Sequence, residues 1–198
     1  MSVFHPPLDG LTDRLRAALA SRKPSLVDRP EARRAAVAAL VTAGAEPAIL
    51  FIKRRERVGD PWSGQMALPG GFALPGDESL EATARRETEE ETGIAPDSAG
   101  ELLGALDDVS PRTPFLPPLV VSPYVFEVPR KLDAQAGPEA ERVLWLRVRD
   151  LFDPAFRKPY ALRLPGATRE FESIVVEGCT IWGLTERVLQ QLREVAGF

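Results

Sequence analysis

The stretch GGFALPGDESLEATARRETEEETGI, residues 70–94, decides the fold because it joins a glycine-rich loop to a strong helix signal. Ser79 is a good helix N-cap, and the alanines that follow it favour helix. Gly93 stands where a glycine commonly ends a helix in the left-handed conformation. We therefore predict a loop, then a helix over residues 79–92 that stops at Gly93.

Three carboxylates share one face of this predicted helix. Glu87, Glu90 and Glu91 are spaced i, i+3 and i+4, so their side chains converge. Carboxylates held together repel each other unless a cation compensates, and hard oxygen donors suit Mg²⁺ or Mn²⁺. The competing interpretation is a solvated acidic face, which is common on helices. It is our interpretation of the two other helix glutamates, Glu81 and Glu89.

Two features flank the carboxylates. Arg86 lies beside their face and can pair with a neighbouring carboxylate to fix its rotamer. Upstream, the sequence Pro69-Gly70-Gly71 lets backbone pass close to a ligand and offers amide donors to a phosphate. Together these residue types favour a metal-assisted site for a phosphorylated ligand.

This pattern resembles the Nudix box. The matching residues are Glu78, Arg86, Glu87, Glu90, Glu91, Gly93 and Ile94. Two positions depart from it: Thr88 replaces a larger apolar residue, and six residues rather than five separate Gly71 from Glu78. The extra residue makes Asp77 an alternative to Glu78.

The longer loop is similar to that of the coenzyme A-cleaving branch of the Nudix family. Three further segments resemble that branch: residues 64–71, 121–125 and 181–185. One position departs from it, because Asp60 stands where the branch carries an arginine. The basic residues occur earlier in this chain, as Lys53, Arg54, Arg55 and Arg57, and can still meet phosphates; the competing interpretation is that they decorate a strand end.

The resemblance implies an α/β (α+β) fold, a Nudix-type α/β/α sandwich with a mixed central sheet and a strand-loop-helix box. It implies hydrolysis of a nucleoside diphosphate conjugate with Mg²⁺ or Mn²⁺ as cofactor. The implied catalytic residues are Glu90, Glu91, Arg86 and Glu78. The implied metal ligands are Glu87, Glu90, Glu91 and Gly71. The implied substrate-binding residues are Arg54, Arg55, Arg57, Gly70 and Gly71. An additional acid from outside the box is expected at Glu139 or Glu141.

Aromatic residues offer weaker signals. Trp62 and Phe115 lie in predicted loops that could frame a substrate base, although such residues more often anchor packing. We expect Trp182 in the core and Tyr160 in a loop. Cys179 is expected to be inert, because the only histidine, His5, is far away in sequence.

Alternating strand and helix patterns cover the rest of the chain. We expect a helix over residues 9–21, a closing helix over residues 183–196 and a loop over residues 54–71. Residues 110–123 contain five prolines, which favours a stiff surface loop. The predicted strands are residues 34–42, 47–53, 101–106, 124–128, 141–148, 172–176 and 180–182. We predict an N-terminal helix and connector at residues 1–30 and a Nudix hydrolase domain at residues 31–198.

Composition limits the function further. The chain has 198 residues, a net charge of −4, one cysteine and one histidine. This excludes an intrachain disulfide and a cysteine zinc cluster, and it disfavours nucleic-acid or membrane partners. We expect a cytoplasmic protein, with homodimerisation possible, that binds a small-molecule nucleotide conjugate.

Coenzyme A or a similar derivative ranks first among the expected substrates. ADP-ribose, NADH, dinucleoside polyphosphates and damaged dNTPs follow. The alternatives to an enzyme are a non-catalytic nucleotide-sensing module and a protein whose loops no longer admit substrate.

Overall fold

The computed structural model describes residues 7–60, 62–111, 116–164 and 167–198. The helices are α1 (Leu11–Ser21), α2 (Leu80–Thr92), α3 (Pro96–Ala99), α4 (Val148–Phe152) and α5 (Gly183–Val195), with a 3₁₀ turn at Pro154–Phe156. The strands are β1 (Arg33–Thr42), β2 (Ala48–Arg54), β3 (Met66–Ala67), β4 (Gly70–Phe72), β5 (Glu101–Ala105), β6 (Leu119–Val128), β7 (Ala140–Arg147), β8 (Arg157–Leu164), β9 (Ala167–Val176) and β10 (Cys179–Trp182). None of the helices in these ranges is long and apolar enough to cross a membrane.

The central sheet is mixed and has seven strands. Its main path is β3-β2-β1-β6-β5, with β4 paired to β1 and β7 paired to β2. Strands β1 and β6 run parallel over their full length, and the other pairs are antiparallel. A second sheet, β10-β9-β8, is antiparallel throughout. The small sheet lies against α5, and β10 also contacts β3 of the central sheet.

Each face of the central sheet carries a hydrophobic core because β1 alternates its side chains between the faces. Ala36, Ala38 and Leu40 pack with Ala84 of α2 on one side. On the other side, Ala35, Ala39 and Val41 join the larger core beneath α1 and α5. The predicted α/β/α sandwich with a mixed sheet is therefore confirmed.

Helix α1 belongs to the larger core. Leu11, Leu15 and Leu19 are almost fully buried there, as their spacing predicts. The connector after α1 is held to the sheet by Asp108, whose carboxylate accepts from Val27 N and from Arg34 Nη2, both at 3.0 Å. The domain boundary between residues 30 and 31 stays a prediction.

The central helix prediction is confirmed. Ser79 Oγ accepts a hydrogen bond from Ala82 N at 3.0 Å, which caps α2. Gly93 ends the helix with a φ of 70°, a conformation that glycine adopts without strain. The helices predicted at residues 9–21 and 183–196 are also present, with ends shifted by one or two residues. All seven predicted strands are present, with β6 and β9 longer than predicted.

Three local predictions are wrong. Residues 110–123 are not all loop, because β6 begins at Leu119 and includes Pro123. Pro123 is tolerated because its carbonyl faces Leu106, just beyond the end of β5, where a missing N–H interrupts little of the ladder. The predicted loop at residues 54–71 contains β3 and the start of β4. Tyr160 lies in strand β8, not in a loop.

Candidate active site

A cleft of about 760 Å³ lies where α2 faces strands β3 and β4. We call it the α2 cleft. Its polar lining includes Arg54, Gln65, Arg86, Glu87, Glu90, Glu91 and Glu139, and its floor includes Gly70 and Gly71. The structure thus brings most of the sequence-predicted site residues to one cavity.

Glu91 is the buried member of the glutamate cluster, with 4% of its surface exposed. Gly70 N donates to its Oε2 at 2.9 Å. Burial raises the pKa of Glu91 to about 7, although the Gly70 hydrogen bond opposes this shift. The predicted amide donor of Gly70 therefore holds a carboxylate, because β4 runs directly beneath the helix face.

Glu87 lies against Gly71. A Cβ placed on Gly71 would come 2.5 Å from the Glu87 carboxyl group, so an alanine here would force that carboxylate to move. Burial raises the pKa of Glu87, while hydrogen bonding to Arg86 opposes the shift. Gly70 is restricted in a different way, since a Cβ there would overlap the carbonyl of Ala36 on β1. Close approach therefore restricts both glycines, Gly70 against backbone and Gly71 against the movable end of a side chain.

Arg86, beside the glutamates of α2, is anchored by Asp77. Asp77 accepts from Arg86 Nε at 2.9 Å and from Nη2 at 3.0 Å, in a two-pronged ion pair. This pairing holds the pKa of Asp77 well below its usual range. Glu78 is exposed, and within the described residues it makes no hydrogen bond or ion pair. Asp77, the alternative expected from the longer loop, therefore takes the position of Arg86 partner.

The remaining guanidinium nitrogen of Arg86 connects two glutamates. Nη1 donates to Glu87 Oε1 at 2.8 Å and to both oxygens of Glu90 at 3.3 Å. Glu90 is the solvent-facing member, with 59% of its side chain exposed. Arg86 therefore orients the carboxylates, as the sequence suggests.

The donor set fits a divalent cation in its chemistry. Glu87, Glu90 and Glu139 all present carboxylates that disfavour ionisation of a neighbour, and a cation offsets exactly this kind of like-charge repulsion. Within the described residues, however, no three Asp, Glu, His or Cys side chains are close enough to hold a metal ion by themselves. In this structure Arg86 donates to oxygens of both Glu87 and Glu90.

Four basic residues were predicted before the box: Lys53, Arg54, Arg55 and Arg57. Among these four, only Arg54 lines the α2 cleft. Its Nη2 donates to Asp60 Oδ2 at 2.9 Å. Burial raises the pKa of Asp60, but the hydrogen bonds from Arg54 and from Trp62 N outweigh it and lower the pKa overall. Arg55 is exposed, and Arg57 pairs with Glu139 at 3.1 Å. The role of Asp60 as the partner of Arg54 was missed, although opposite charges six residues apart across a loop are a usable signal.

Glu139 reaches the cleft through the segment before β7. Gly137 N donates to the carbonyl of Glu91 at 2.9 Å, so the segment docks on the C-terminal end of α2. A Cβ on Gly137 would overlap the backbone of Glu90, which explains the glycine. The other candidate acid, Glu141, pairs with Lys53 at 2.7 Å and does not line the cleft.

The aromatic residues are arranged differently from expectation. Trp62 lines the α2 cleft, as a residue that frames substrate should, whereas Phe115 lies outside the described residues. Trp182 is only half-buried and stacks on Tyr160, with ring centroids 4.5 Å apart. The expectation of a core Trp182 is wrong because β10 alternates its side chains: Cys179 and Ile181 face the core, and Trp182 lies on the other face.

Comparison with known proteins agrees with this geometry. The sequence model of the NUDIX domain matches residues 32–165. The chain is 30% identical over 161 residues to an uncharacterized Nudix hydrolase NudL of Citrobacter koseri, covering 81% of both chains. It is 29% identical over 163 residues to NudL of Yersinia pestis, covering 82% of this chain and 79% of the relative.

The fold is also similar to a solved structure. A MutT/nudix family protein from Enterococcus faecalis aligns with 94% of this chain and 74% of its own, at a TM-score of 0.53 and 19% identity. That likeness supports the sandwich architecture, and the sequence match supports the family. The chain belongs to the Nudix hydrolase family, whose members are pyrophosphohydrolases acting on nucleoside diphosphate derivatives.

Proposed function

We propose that this protein is a divalent-metal-dependent hydrolase that cleaves the pyrophosphate bond of a nucleoside diphosphate conjugate. The observation that carries the proposal is the convergence of Glu87, Glu90, Glu91 and Glu139 on one cleft that also contains Arg54. Carboxylates concentrated beside an arginine suit a substrate whose phosphates are bridged to the protein by cations.

We assign Glu87, Glu90 and Glu91 as metal ligands, with the Gly71 carbonyl beside them. Mg²⁺ or Mn²⁺ would neutralise phosphate charge and lower the pKa of the attacking water. Glu87 and Glu90 would hold the cation with oxygens that accept hydrogen bonds from Arg86 in this structure. Arg86 stays anchored by Asp77, so its remaining task is to limit the rotamers of these glutamates.

Glu139 is our choice of general base. It comes from outside α2 and lines the same cleft, and its negative charge contributes to the raised pKa of both Glu87 and Glu91. Glu139 keeps about half of its side chain exposed, which leaves it in reach of a water molecule. Glu91 is less suited, because its burial already favours the protonated form.

Arg54 is the substrate-binding arginine that the cleft supports. Its pairing with Asp60 holds the guanidinium in the lining of the α2 cleft, where a bound phosphate would meet it. Arg55 and Arg57 remain proposed contacts for more distant parts of the substrate. The motifs shared with the coenzyme A-cleaving branch favour coenzyme A or a similar derivative as substrate. ADP-ribose, NADH, dinucleoside polyphosphates and damaged dNTPs rank after it.

A product-resolved turnover panel tests this proposal. Purified protein with Mg²⁺ or Mn²⁺ meets coenzyme A, ADP-ribose, NADH, a dinucleoside polyphosphate and several dNTPs, and mass spectrometry identifies the products. Release of 3′,5′-ADP and 4′-phosphopantetheine supports coenzyme A. Cleavage of another conjugate keeps the mechanism and changes the substrate. Ligand binding without any turnover would contradict the enzyme proposal and favour a non-catalytic nucleotide-sensing module.

A further inference from the structure

A second cleft, of about 750 Å³, adjoins the α2 cleft and takes no part in the metal chemistry. We call it the Trp182 cleft. It lies between the small sheet and α5, and it shares the wall residues Trp62, Gln65 and Leu184 with the α2 cleft. The two cavities are therefore direct neighbours, and each is within the size range of small-molecule sites.

Three aromatic rings line one side of the Trp182 cleft. Tyr160 of β8 and Phe171 of β9 are register partners across the small sheet. Trp182 stacks on Tyr160 and lies 5.7 Å from Phe171, centroid to centroid. All three rings are half-buried, so part of each surface remains available in the cavity. Such a surface favours a flat aromatic group, because stacking adds to the burial of area.

The charges of the Trp182 cleft oppose those that a phosphate needs. Glu170, Glu172 and Glu194 line it and are exposed. A fourth, Glu186, is buried but accepts from Arg157 at 2.9 Å and is compensated there. The lining cation Arg187 donates to the carbonyl of Ser110 and keeps its charge, and Arg157 also lies 3.9 Å from Glu172, so four carboxylates face two cations. The net negative field disfavours anions, while carboxylate oxygens accept hydrogen bonds from ring amino groups.

We propose that the Trp182 cleft is the base subsite: it holds a nucleobase that carries amino donors and no negative charge. The proposal rests on the proposed function, because the pyrophosphate of the same substrate would lie at the glutamates of the α2 cleft. The two clefts differ in charge: the α2 cleft binds the anionic part of the substrate with its cations, and the Trp182 cleft binds the flat, uncharged part.

Adenosine tests the subsite without hydrolysis, since it has no pyrophosphate to cleave. The full chain carrying Trp145→Phe, which removes a tryptophan outside both clefts, is titrated with adenosine and with orotidine, whose base carries a carboxylate. We expect adenosine to quench the remaining tryptophan emission and orotidine to bind at least about tenfold more weakly. Added Trp182→Phe should remove the share of the quenching that comes from Trp182, leaving only that of Trp62, while calorimetry still detects binding.

Two variants locate the recognition. Tyr160→Leu should weaken adenosine binding about tenfold, the order expected for one stacked base. Glu170→Gln with Glu172→Gln should relieve the discrimination against orotidine, whereas Glu31→Gln, at an exposed position outside both clefts, should not. Circular dichroism of each variant checks folding, and if Tyr160→Leu fails to fold, the change of quenching in Trp182→Phe still tests whether the base lies against Trp182.

The proposal is overturned if adenosine does not bind, if orotidine binds equally well, or if Tyr160→Leu and Trp182→Phe leave binding and quenching unchanged. Its failure is distinct from failure of the proposed function. If the protein hydrolyses a conjugate but Tyr160→Leu leaves the KM unchanged, the nucleobase of the substrate binds outside the Trp182 cleft. If the protein binds adenosine through Tyr160 but hydrolyses no conjugate, the base subsite is supported and the proposed hydrolase function is contradicted.

Discussion

Arg54 and Asp60 form an ion pair at 2.9 Å beside the α2 cleft, with only 24% and 18% of their side chains exposed. The carboxylate of Asp60 also accepts a hydrogen bond from Trp62 N at 2.9 Å. It therefore links Arg54 to Trp62, the aromatic residue that lines both clefts. Asp60 therefore acts as a positioning residue for Arg54, and its negative charge is neutralised within the protein.

Asp60→Asn tests this pairing. The amide keeps a similar shape but loses the charge that holds Arg54, so we expect the KM of a cleaved substrate to rise about tenfold, the equivalent of one charged hydrogen bond. The kcat should change much less, because the proposed contact of Arg54 with phosphate would be made in both ground and transition states. Asp97→Asn, at an exposed residue that pairs with Arg85, is the control. An unchanged KM, or a fall confined to kcat, would contradict the assignment.

Replacing Glu90 and Glu91 together by glutamine tests the metal site. Glutamine keeps an acceptor for Gly70 N but supplies no negative charge, so we expect loss of activity by at least about a hundredfold and weakened Mn²⁺ binding in calorimetry. The thermal transition should persist. The control is Glu89→Gln, on an exposed position of the same helix. Full activity in the double variant would remove these glutamates from the chemistry.

Gly71→Ala tests the close approach of Glu87. The added Cβ would lie 2.5 Å from the Glu87 carboxyl group and would displace it. The backbone itself accepts alanine, because the φ of Gly71 lies outside the left-handed region. We expect kcat to fall more than about tenfold, because a displaced ligand costs a substantial part of transition-state stabilisation. Gly76→Ala is a matched control, since nothing lies within 4 Å of its Cβ position. Equal kinetics for the two variants would argue against the Glu87 role.

The metal-free protein should lose stability as pH rises, through Glu91. Its pKa in the folded chain is about 7, against about 4.3 in an unfolded chain, so the folded state binds the extra proton between these values. This contribution to the free energy of unfolding is complete below the unfolded pKa and is lost as pH rises through about 7.

Urea unfolding with chelator present, from about pH 5 to about pH 8, measures this slope. Glu91→Gln should flatten it by up to about 1.4 kcal/mol per pH unit, and Glu89→Gln should not. Mn²⁺ should reverse the loss, because a bound cation favours the ionised carboxylate. Parallel pH profiles for wild type and Glu91→Gln would contradict the buried, protonated Glu91.

Helix α1 contributes to stability through the larger core. Leu15→Ala should lower the free energy of unfolding by about 2–5 kcal/mol, the usual cost of a large cavity. Leu26→Ala, at a side chain that is 71% exposed, should change it by less than about 0.5 kcal/mol. Denaturant unfolding measures both. A small effect of Leu15→Ala would mean that α1 packs on the sheet without stabilising it.

Local sequence determined the parts of this protein that depend on near neighbours. Ser79 and Gly93 set the ends of α2 through capping and a left-handed turn, and helical spacing placed Glu87, Glu90 and Glu91 on one face. Apolar periodicity likewise predicted α1 and α5. These features need only a few consecutive residues, so they were readable without any tertiary contact.

Long-range packing decided the rest. Gly70 meets Glu91 because β4 pairs with β1 beneath α2, and Glu139 reaches the cleft because Gly137 docks on the end of that helix. Neither contact leaves a local signal, since the partners lie far apart in the chain or on separate elements. The same holds for Tyr160, which the order of the small sheet stacks on Trp182. The sequence by itself determined which chemical groups are present and how α2 presents them, whereas sheet pairing decided which of them meet and how they are charged.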